Sequence, residues 1–372
     1  MFNKEKLLED NRKLVERFGA QKISELDEEQ IPDFYTFKRK LIYSHRDFDK
    51  FFEAVKDEDK ECAIVSGFNP SGTMHLGHKA VFDTNLFFQR EYDLPVYIPL
   101  SDDETYLVGK TDDQDKAFKN AWNLAKELLA YGYDPKKTHI IIDRYYTNIY
   151  NLAIKYSKKI TLSEVKATYG YKNEDNPGMY FYPAIQTAHI LLPIEKFNKD
   201  RVLVPIGPDE DSHLRISRDI AKKMGYNKPS TIHSTFVPGT DGEKMSASKE
   251  NYIGLNDSKK RLREKINKAY TGGHVSKEKH RKHGGKPEED VPIYYLEKYF
   301  LDEEESKEIK KQYREGKLLS GEVKQKLYKE ASKFIMDFQE KEKQVKDKDV
   351  YSILLKNRDS DELLKEIISY EK

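Results

Sequence analysis

The sequence predicts an α/β protein, a doubly wound parallel sheet followed by a helical C-terminal domain. Three observations carry the prediction. Between Cys62 and about Ile253, short apolar runs of strand length alternate with longer segments whose apolar residues recur at helical spacing. Strands that alternate with helices in this way form parallel sheets. After about residue 256 the strand signal fades and helical periodicity continues alone.

Taken in order, residues 1–55 read as a helical preface ending in Ser44-His45-Arg46-Asp47-Phe48. Ser44 is the expected helix cap there, because a hydroxyl can accept from a free first-turn N–H. Strands are expected at Ala63-Ile64-Val65, Val96-Tyr97-Ile98, His139-Ile140-Ile141-Ile142 and Val202-Leu203-Val204. The segment 114–131 places Phe118, Ala121, Trp122 and Leu128 at helical spacing, which makes Trp122 a core residue rather than a site. Further helices are expected over 257–269, 291–300, 302–314, 320–341 and 359–369. Three units result: an N-terminal helical extension (1–55), a sheet domain (56–255, with an insert at about 160–200) and a helical domain (256–372).

Composition excludes several classes. The 66 basic residues nearly balance 65 acidic ones, so the net charge of +1 gives no global attraction for nucleic acid, and any such site must be local. Charged residues make up 35% and hydrophobic ones 37%, the latter gathered into blocks, as in a globular chain. The Lys and Glu excess resembles that of proteins that work hot. No apolar run approaches the roughly 20 residues that span a bilayer, and Asn3, Lys4, Glu5 and Lys6 do not open a secretory signal. The lone Cys62 can form neither an internal disulfide nor a multi-cysteine zinc site, and reads as a buried thiol. A cytoplasmic protein without membrane association is expected.

Two motifs carry chemistry. Pro70-Ser71-Gly72-Thr73-Met74-His75-Leu76-Gly77-His78 follows an expected strand and opens an expected helix. Free N–H groups and the helix dipole favour anions at such a place. His75 and His78 share a face of the first turn, where two imidazoles can donate hydrogen bonds to phosphoryl oxygens as charge builds. Gly77 leaves room for a flat base against the backbone. A zinc pair is disfavoured, since helical zinc histidines are spaced by four with a glutamate between; two incidental histidines remain the plain alternative. The second motif, Lys244-Met245-Ser246-Ala247-Ser248, follows Gly239-Thr240-Asp241-Gly242. One lysine and two hydroxyls on a mobile loop suit triphosphate oxygens, although a polar surface loop has the same composition.

Together, about 170 residues apart and in this order, the motifs resemble the two signatures of class I aminoacyl-tRNA synthetases. Further stretches resemble tryptophanyl-tRNA synthetases of the archaeal and eukaryotic type: Ser44-His45-Arg46-Asp47, Asp102-Asp103-Glu104, Tyr182-Pro183-Ala184-Ile185-Gln186, Arg218-Asp219-Ile220-Ala221, His233-Ser234-Thr235-Phe236, Gly272-Gly273 and Arg281-Lys282-His283-Gly284-Gly285. The likeness runs from about residue 38 to about 340. It implies a Rossmann-like nucleotide-binding sheet with a helical anticodon-binding domain. It implies ATP and Mg²⁺, the substrate L-tryptophan, tRNA(Trp) as partner and a homodimer joined through the insert. The apolar run Ile190-Leu191-Leu192-Pro193-Ile194 would suit that interface or a core equally.

The resemblance also implies roles. His75, His78, Lys244, Ser246 and Ser248 would be catalytic. ATP would lie against Pro70, Gly72, His75, Gly77, His78, Lys244 and Met245, with Asp209 on its ribose. Ala247 stands where the common motif has a second lysine, so Mg²⁺ would carry more of the charge neutralisation. Glu104 would bind the substrate ammonium, and Gln186 would read the amino-acid head group. The residues that read the indole N–H in eukaryotic relatives match Val65 and Pro99 here, which cannot do so. His189 matches the reader in bacterial relatives, and a neutral imidazole can accept from indole N–H. The family's glycine-rich opening is altered to Ser66-Gly67-Phe68-Asn69-Pro70.

For RNA, residues 256–286 hold eleven lysines and arginines against three acids, a cluster suited to phosphates. Tyr270, His274, His280 and His283 could stack on or bond to bases; a solvated charged helix is the plain alternative. Lys268, Gly272, Gly273 and Arg281 are the expected tRNA-contacting residues. Rival readings are a tyrosyl-tRNA synthetase, a nucleotidyltransferase without RNA, and a silent RNA-binding paralogue.

Overall fold

The computed structural model describes Phe2 and residues 4–246 and 249–357. Seven strands form one sheet: β1 (Gln21–Lys22), β2 (Ile42–Arg46), β3 (Cys62–Val65), β4 (Val96–Leu100), β5 (Thr138–Ile142), β6 (Arg201–Ile206) and β7 (Ser230–Ser234), in the order β1-β2-β7-β6-β3-β4-β5. The five strands from β7 to β5 are parallel. The edge pair β1 and β2 runs antiparallel, β2 pairing with β7.

The four strands expected from hydropathy are β3 to β6, each a residue or more longer than its apolar run. Parallel strands are covered on both faces, so they read as near-continuous apolar runs. Side chains alternate between two cores. Ile64, Ile98 and Ile140 face one, while Ala63, Val65, Tyr97 and Ile141 face the other. The first core is covered by Phe48–Val55, Lys79–Glu91 and Gln114–Tyr131, the second by Asn148–Ser157, Pro177–Phe197 and Asp211–Met224.

Two expectations are corrected. Residues 1–55 are not wholly helical, because they supply β1 and β2. Ser44 lies inside β2 and caps no helix; its hydroxyl bonds to His233 Nδ1 at 3.0 Å. The helix that follows, Phe48–Val55, starts after Asp47 in a left-handed conformation (φ 50°). β7 escaped hydropathy because Ile232 is its one apolar residue. Its polar side chains are paired internally, Thr231 donating to the Val204 carbonyl at 2.5 Å and Ser234 to that of Ile206 at 3.3 Å.

The insert folds as Leu162–Tyr169, with Thr161 and Glu164 forming a reciprocal cap, and Pro177–Phe197. The run Ile190 to Pro193 is buried within this chain, so of its two readings the core prevails. Cys62 is buried as expected, and burial pushes its thiol up to about 12.

The C-terminal helices Lys259–Lys268, Glu303–Arg314 and Ser320–Gln344 match expectation to within a few residues; Lys277–His283 and Asp347–Ile353 were not expected. Ser320–Gln344 buries Val323, Leu327, Ala331, Ile335 and Phe338, one stripe along its length. That stripe joins the core of the sheet domain rather than a separate one. Trp122 is half-buried against this core and donates its Nε1–H to Asp347 (2.9 Å), and Leu354 bridges to Ile140 at the β5 edge. The helix expected over 359–369 lies outside the described residues. No described helix is long and apolar enough to cross a membrane.

Candidate active site

Chain order turns at β3: β4 and β5 add on one side, β6 and β7 on the other. Parallel sheets open a ligand crevice at the carboxyl ends of their strands at such a point. A cleft of about 400 Å³ lies there, walled by the ends of β3 (Val65, Gly67), β4 (Pro99, Ser101), β6 (Val204 to Gly207) and β7 (Ser234 to Val237). Small-molecule sites span about 300–1,000 Å³.

The first motif leaves β3 and forms a short turn, Leu76–His78, before the helix Lys79–Glu91. His75 and His78 line the cleft with their rings stacked, centroids 3.8 Å apart. The Gly77 N–H donates to His75 Nδ1 (3.1 Å) and the His75 N–H to His78 Nδ1 (3.3 Å). Burial, with the Lys265 charge second, lowers His75 to about 4; burial, then His75, holds His78 well below the usual histidine range. Both rings are therefore neutral near physiological pH. With Nδ1 accepting, each carries its proton on Nε2. A Cβ at Gly77 would come within 2.8 Å of both the His75 ring and Met245 Sδ, so the missing side chain is what lets the two motifs touch. Pro70 and Gly72 lie in the preceding turn, outside the cleft wall.

From the second motif, Lys244 and Met245 line the cleft. Lys244 Nζ sits 3.3 Å from Asp209 Oδ2 and over the Phe236 ring. Two residues expected to hold ATP thus hold each other across the mouth. An exposed pair of this kind is worth about 0–1 kcal/mol, so a triphosphate can displace it. Ser246 is anchored by its backbone N–H to Asn251 Oδ1 (2.8 Å). Ser248 lies outside the described residues.

At the inner end, Glu104 accepts from Asn69 Nδ2 (2.8 Å), and Gln186 Oε1 accepts from the Tyr182 hydroxyl (2.8 Å). Val65 and Pro99 line this end and are apolar, as expected. His189 lines it too, with 1% of its surface exposed and Nε2 2.7 Å from Asp143 Oδ1. The structure thus gathers His75, Gly77, His78, Glu104, Gln186, His189, Asp209, Lys244 and Met245 around one cavity. Sequence reasoning missed Lys110, a second cation on the wall, as well as Asn69, Tyr182 and His213. Lys110 follows the Asp102-Asp103-Glu104 stretch by a few residues, but nothing in its neighbours marks it as facing the cleft.

The residues expected to contact RNA lie elsewhere. Lys268 and Arg281 are exposed. A Cβ on Gly272 would meet the Lys286 carbonyl at 2.0 Å, and one on Gly273 would meet Ser320 Oγ at 2.4 Å, which makes both glycines packing residues. His280 is buried and bonded to the Leu318 carbonyl (3.0 Å), so it cannot stack on a base; His274 and His283 are exposed. Lys265 and Arg261 are drawn onto the buried Asp257.

Comparison with known proteins bears directly on this geometry. The family of class I tRNA synthetases (W and Y) matches residues 56–336. Tryptophan–tRNA ligase 2 of Halobacterium salinarum is 41% identical over 321 residues, 85% of this chain and 82% of that protein. The tryptophan–tRNA ligase of Methanocaldococcus jannaschii is 38% identical over 353 residues, 91% and 93% of the two chains. The crystal structure of tryptophanyl-tRNA synthetase from Aeropyrum pernix superposes with a TM-score of 0.85 at 29% identity, covering 95% and 98% of the two chains. With a neutral histidine pair, a facing lysine loop and a switch-point cleft on one parallel sheet, the chain belongs to the class I tRNA synthetases, in the family of the tryptophan and tyrosine enzymes and on its tryptophanyl branch.

Proposed function

We propose that the chain activates L-tryptophan with ATP and passes it to tRNA(Trp). The tryptophan carboxylate attacks the α-phosphorus, pyrophosphate leaves, and tryptophanyl-adenylate forms. A ribose hydroxyl at the tRNA terminus then attacks the carbonyl and AMP leaves. One observation carries the reading: a single cavity brings His75, His78 and Lys244 together with Glu104, Gln186, His189 and the apolar Val65 and Pro99. No protein nucleophile is needed; positioning and charge stabilisation supply the rate.

His75 and His78 donate from Nε2 to phosphate oxygens without adding charge. Lys244 leaves Asp209 to meet the pyrophosphate side with Ser246 and Ser248, which frees Asp209 for the ribose hydroxyls. Met245 shapes the nucleotide surface, while Pro70 and Gly72 act on it only through the turn that carries His75. Glu104 takes the substrate ammonium. With Gln186 Oε1 engaged by Tyr182, its amide N–H faces the carboxylate. His189 takes the indole N–H. Two carboxylates line the mouth, Asp209, which is tied to Lys244, and Glu210 beside it. Mg²⁺ would travel on the ATP phosphates, where it would supply charge neutralisation.

Lys268 and Arg281 contact tRNA phosphates, with Gly272 and Gly273 holding the backbone that presents them. A homodimer would use Leu162 at the start of the insert and Ile154 on the helix before it, both exposed, since the Ile190 to Pro193 run is occupied internally. The reaction is placed in the cytoplasm.

The test is amino-acid-dependent ATP–pyrophosphate exchange with tryptophan, tyrosine and phenylalanine. Exchange with tryptophan alone is expected. Exchange with tyrosine would keep the reaction and overturn the substrate; none with a folded protein would leave an RNA-binding paralogue.

A further inference from the structure

We propose that Asp143 fixes the tautomer of His189, so that a bare, buried Nδ1 behind the inner wall of the cleft is the acceptor that selects a substrate ring carrying an N–H. The inference rests on the tryptophan reading and deepens it, naming the residue that makes a histidine able to read indole.

Asp143 follows β5 directly and has no exposed surface. Its backbone N–H donates to Asp102 Oδ1 (3.0 Å), as does that of Arg144 (3.4 Å), so its position is set by main chain. His189 sits on the helix Pro177–Phe197, where Pro183 and Pro193 lack N–H groups and free the carbonyls of Met179 and His189. The helix is held at that point by packing, which delivers His189 Nε2 to Asp143 Oδ1 at 2.7 Å.

A neutral imidazole has one N–H and one bare nitrogen, and the partner of one decides the other. Burial keeps the ring neutral, lowering it to about 4. The carboxylates of Asp102, Asp103 and Asp143 approach within 4.8 Å of one another, and three ionised groups cannot share so small a buried volume. Burial, followed by the charge of Asp143, raises Asp103 well above its ordinary value, and burial also raises Asp143 well above its own against the opposing hydrogen bond from Asp103. Asp103 donates in that bond, and Asp143 accepts from it and faces His189 Nε2 at 2.7 Å. A carboxylate oxygen that accepts there places the His189 proton on Nε2.

Nδ1 is then an acceptor, and it has no hydrogen-bond partner among the described residues. The neighbouring wall residues Val65, Pro99 and Ile190 have no polar side-chain atom to offer. A buried acceptor left unpaired is costly, and indole N–H is the group that relieves it. With the opposite tautomer, an Nδ1–H would confront the indole N–H, and the same pocket would repel its substrate.

The test compares tryptophan with β-(3-benzothienyl)alanine, in which sulfur replaces the N–H, in ATP–pyrophosphate exchange. The wild-type protein should prefer tryptophan. Asp143→Asn should lower kcat/KM for tryptophan by about tenfold or more, the scale of one buried hydrogen bond. It should leave the benzothienyl analogue within about twofold and the KM for ATP unchanged. Equal loss for both substrates, or an unaltered preference, overturns the proposal. A second measurement needs no variant: ¹⁵N spectra of the wild-type protein labelled at histidine should show a ring protonated at Nε2, with a bare Nδ1 that shifts when tryptophan binds. A protonated Nδ1 overturns the proposal. If the wild-type protein exchanges with no tryptophan at all, the functional reading fails, while the ligand-free tautomer still stands or falls on its own spectrum.

Discussion

His75 and His78 each spend Nδ1 on a backbone N–H, which leaves the ring proton on Nε2. Removing one such donor from a phosphoryl-transfer site costs about a hundredfold in rate. His75→Ala should therefore lower kcat for exchange by about that factor while leaving the KM for tryptophan nearly unchanged. Because burial lowers both rings, neither should titrate between about pH 6 and 8. An inflection near 6.5 that vanishes in His75→Ala would show that they work as cations instead. At the other end of the cleft, His189→Ala should raise the KM for tryptophan by about tenfold or more and spare that for ATP. Equal effects on both would sink the assignment of His189 to indole.

At the scale of elements, the glycines and the cations of the basic segment 256–286 do different jobs. Gly273 is hemmed in by Ser320, His280 and Tyr313, each of which would stand within 2.8 Å of a Cβ added there. Gly273→Ala should cost about 1–3 kcal/mol, as overpacking does, and should lower Tm. Arg281→Ala should leave Tm alone, weaken tRNA binding across sequences and reduce its salt slope by about one. Thermal unfolding beside filter-binding titrations at several salt concentrations separates the two; a Tm loss in Arg281→Ala would make that residue structural. The signature loop has a neighbour that composition did not suggest. Phe2 packs edge-on to Tyr294 (5.9 Å) and lies against Gly242, and Lys6 pairs with Glu243 (3.0 Å). The N-terminal segment therefore borders the loop that carries Lys244.

Across the whole molecule, one buried network joins the antiparallel edge to the helix beneath the cleft. Arg46 on β2 donates to both oxygens of Asp211 (2.8 and 2.9 Å), and His233 on β7 bonds to the same carboxylate (3.0 Å). Burial alone would raise Asp211, but the hydrogen bonds from His233 and Arg46 outweigh it and hold the group far below the usual carboxylate range. Burial also lowers His233, so the charges facing Asp211 are those of Arg46 and, at 3.1 Å, the half-exposed Arg215. A depressed acid contributes stability that is complete above its unfolded value of about 3.9 and is lost as pH falls toward the folded value. Asp211→Asn should cost about 3 kcal/mol at neutral pH by leaving Arg46 unpaired, and the loss should shrink below about pH 4. Urea unfolding of both proteins across that range checks it; a difference independent of pH would mean that Asp211 acts through packing alone.

The parallel core of the sheet is legible in the chain, because strands covered on both faces read as near-continuous apolar runs, as the centres of β3 to β6 do. The turn that carries His75 and His78 and the loop that carries Lys244 are legible in the same way, because each is written in contiguous residues. The tertiary structure alone decided the rest. β2 and β7 are polar strands whose hydrogen-bonding groups find one another only after folding, as Ser44 and His233 do across 189 positions. Lys110 reaches the cleft, and Asp143 reaches His189 from 46 positions away, because the ends of neighbouring parallel strands converge there. Contacts between distant residues leave no periodicity in the chain, so the partner that fixes the His189 proton becomes visible only once the sheet has brought it near.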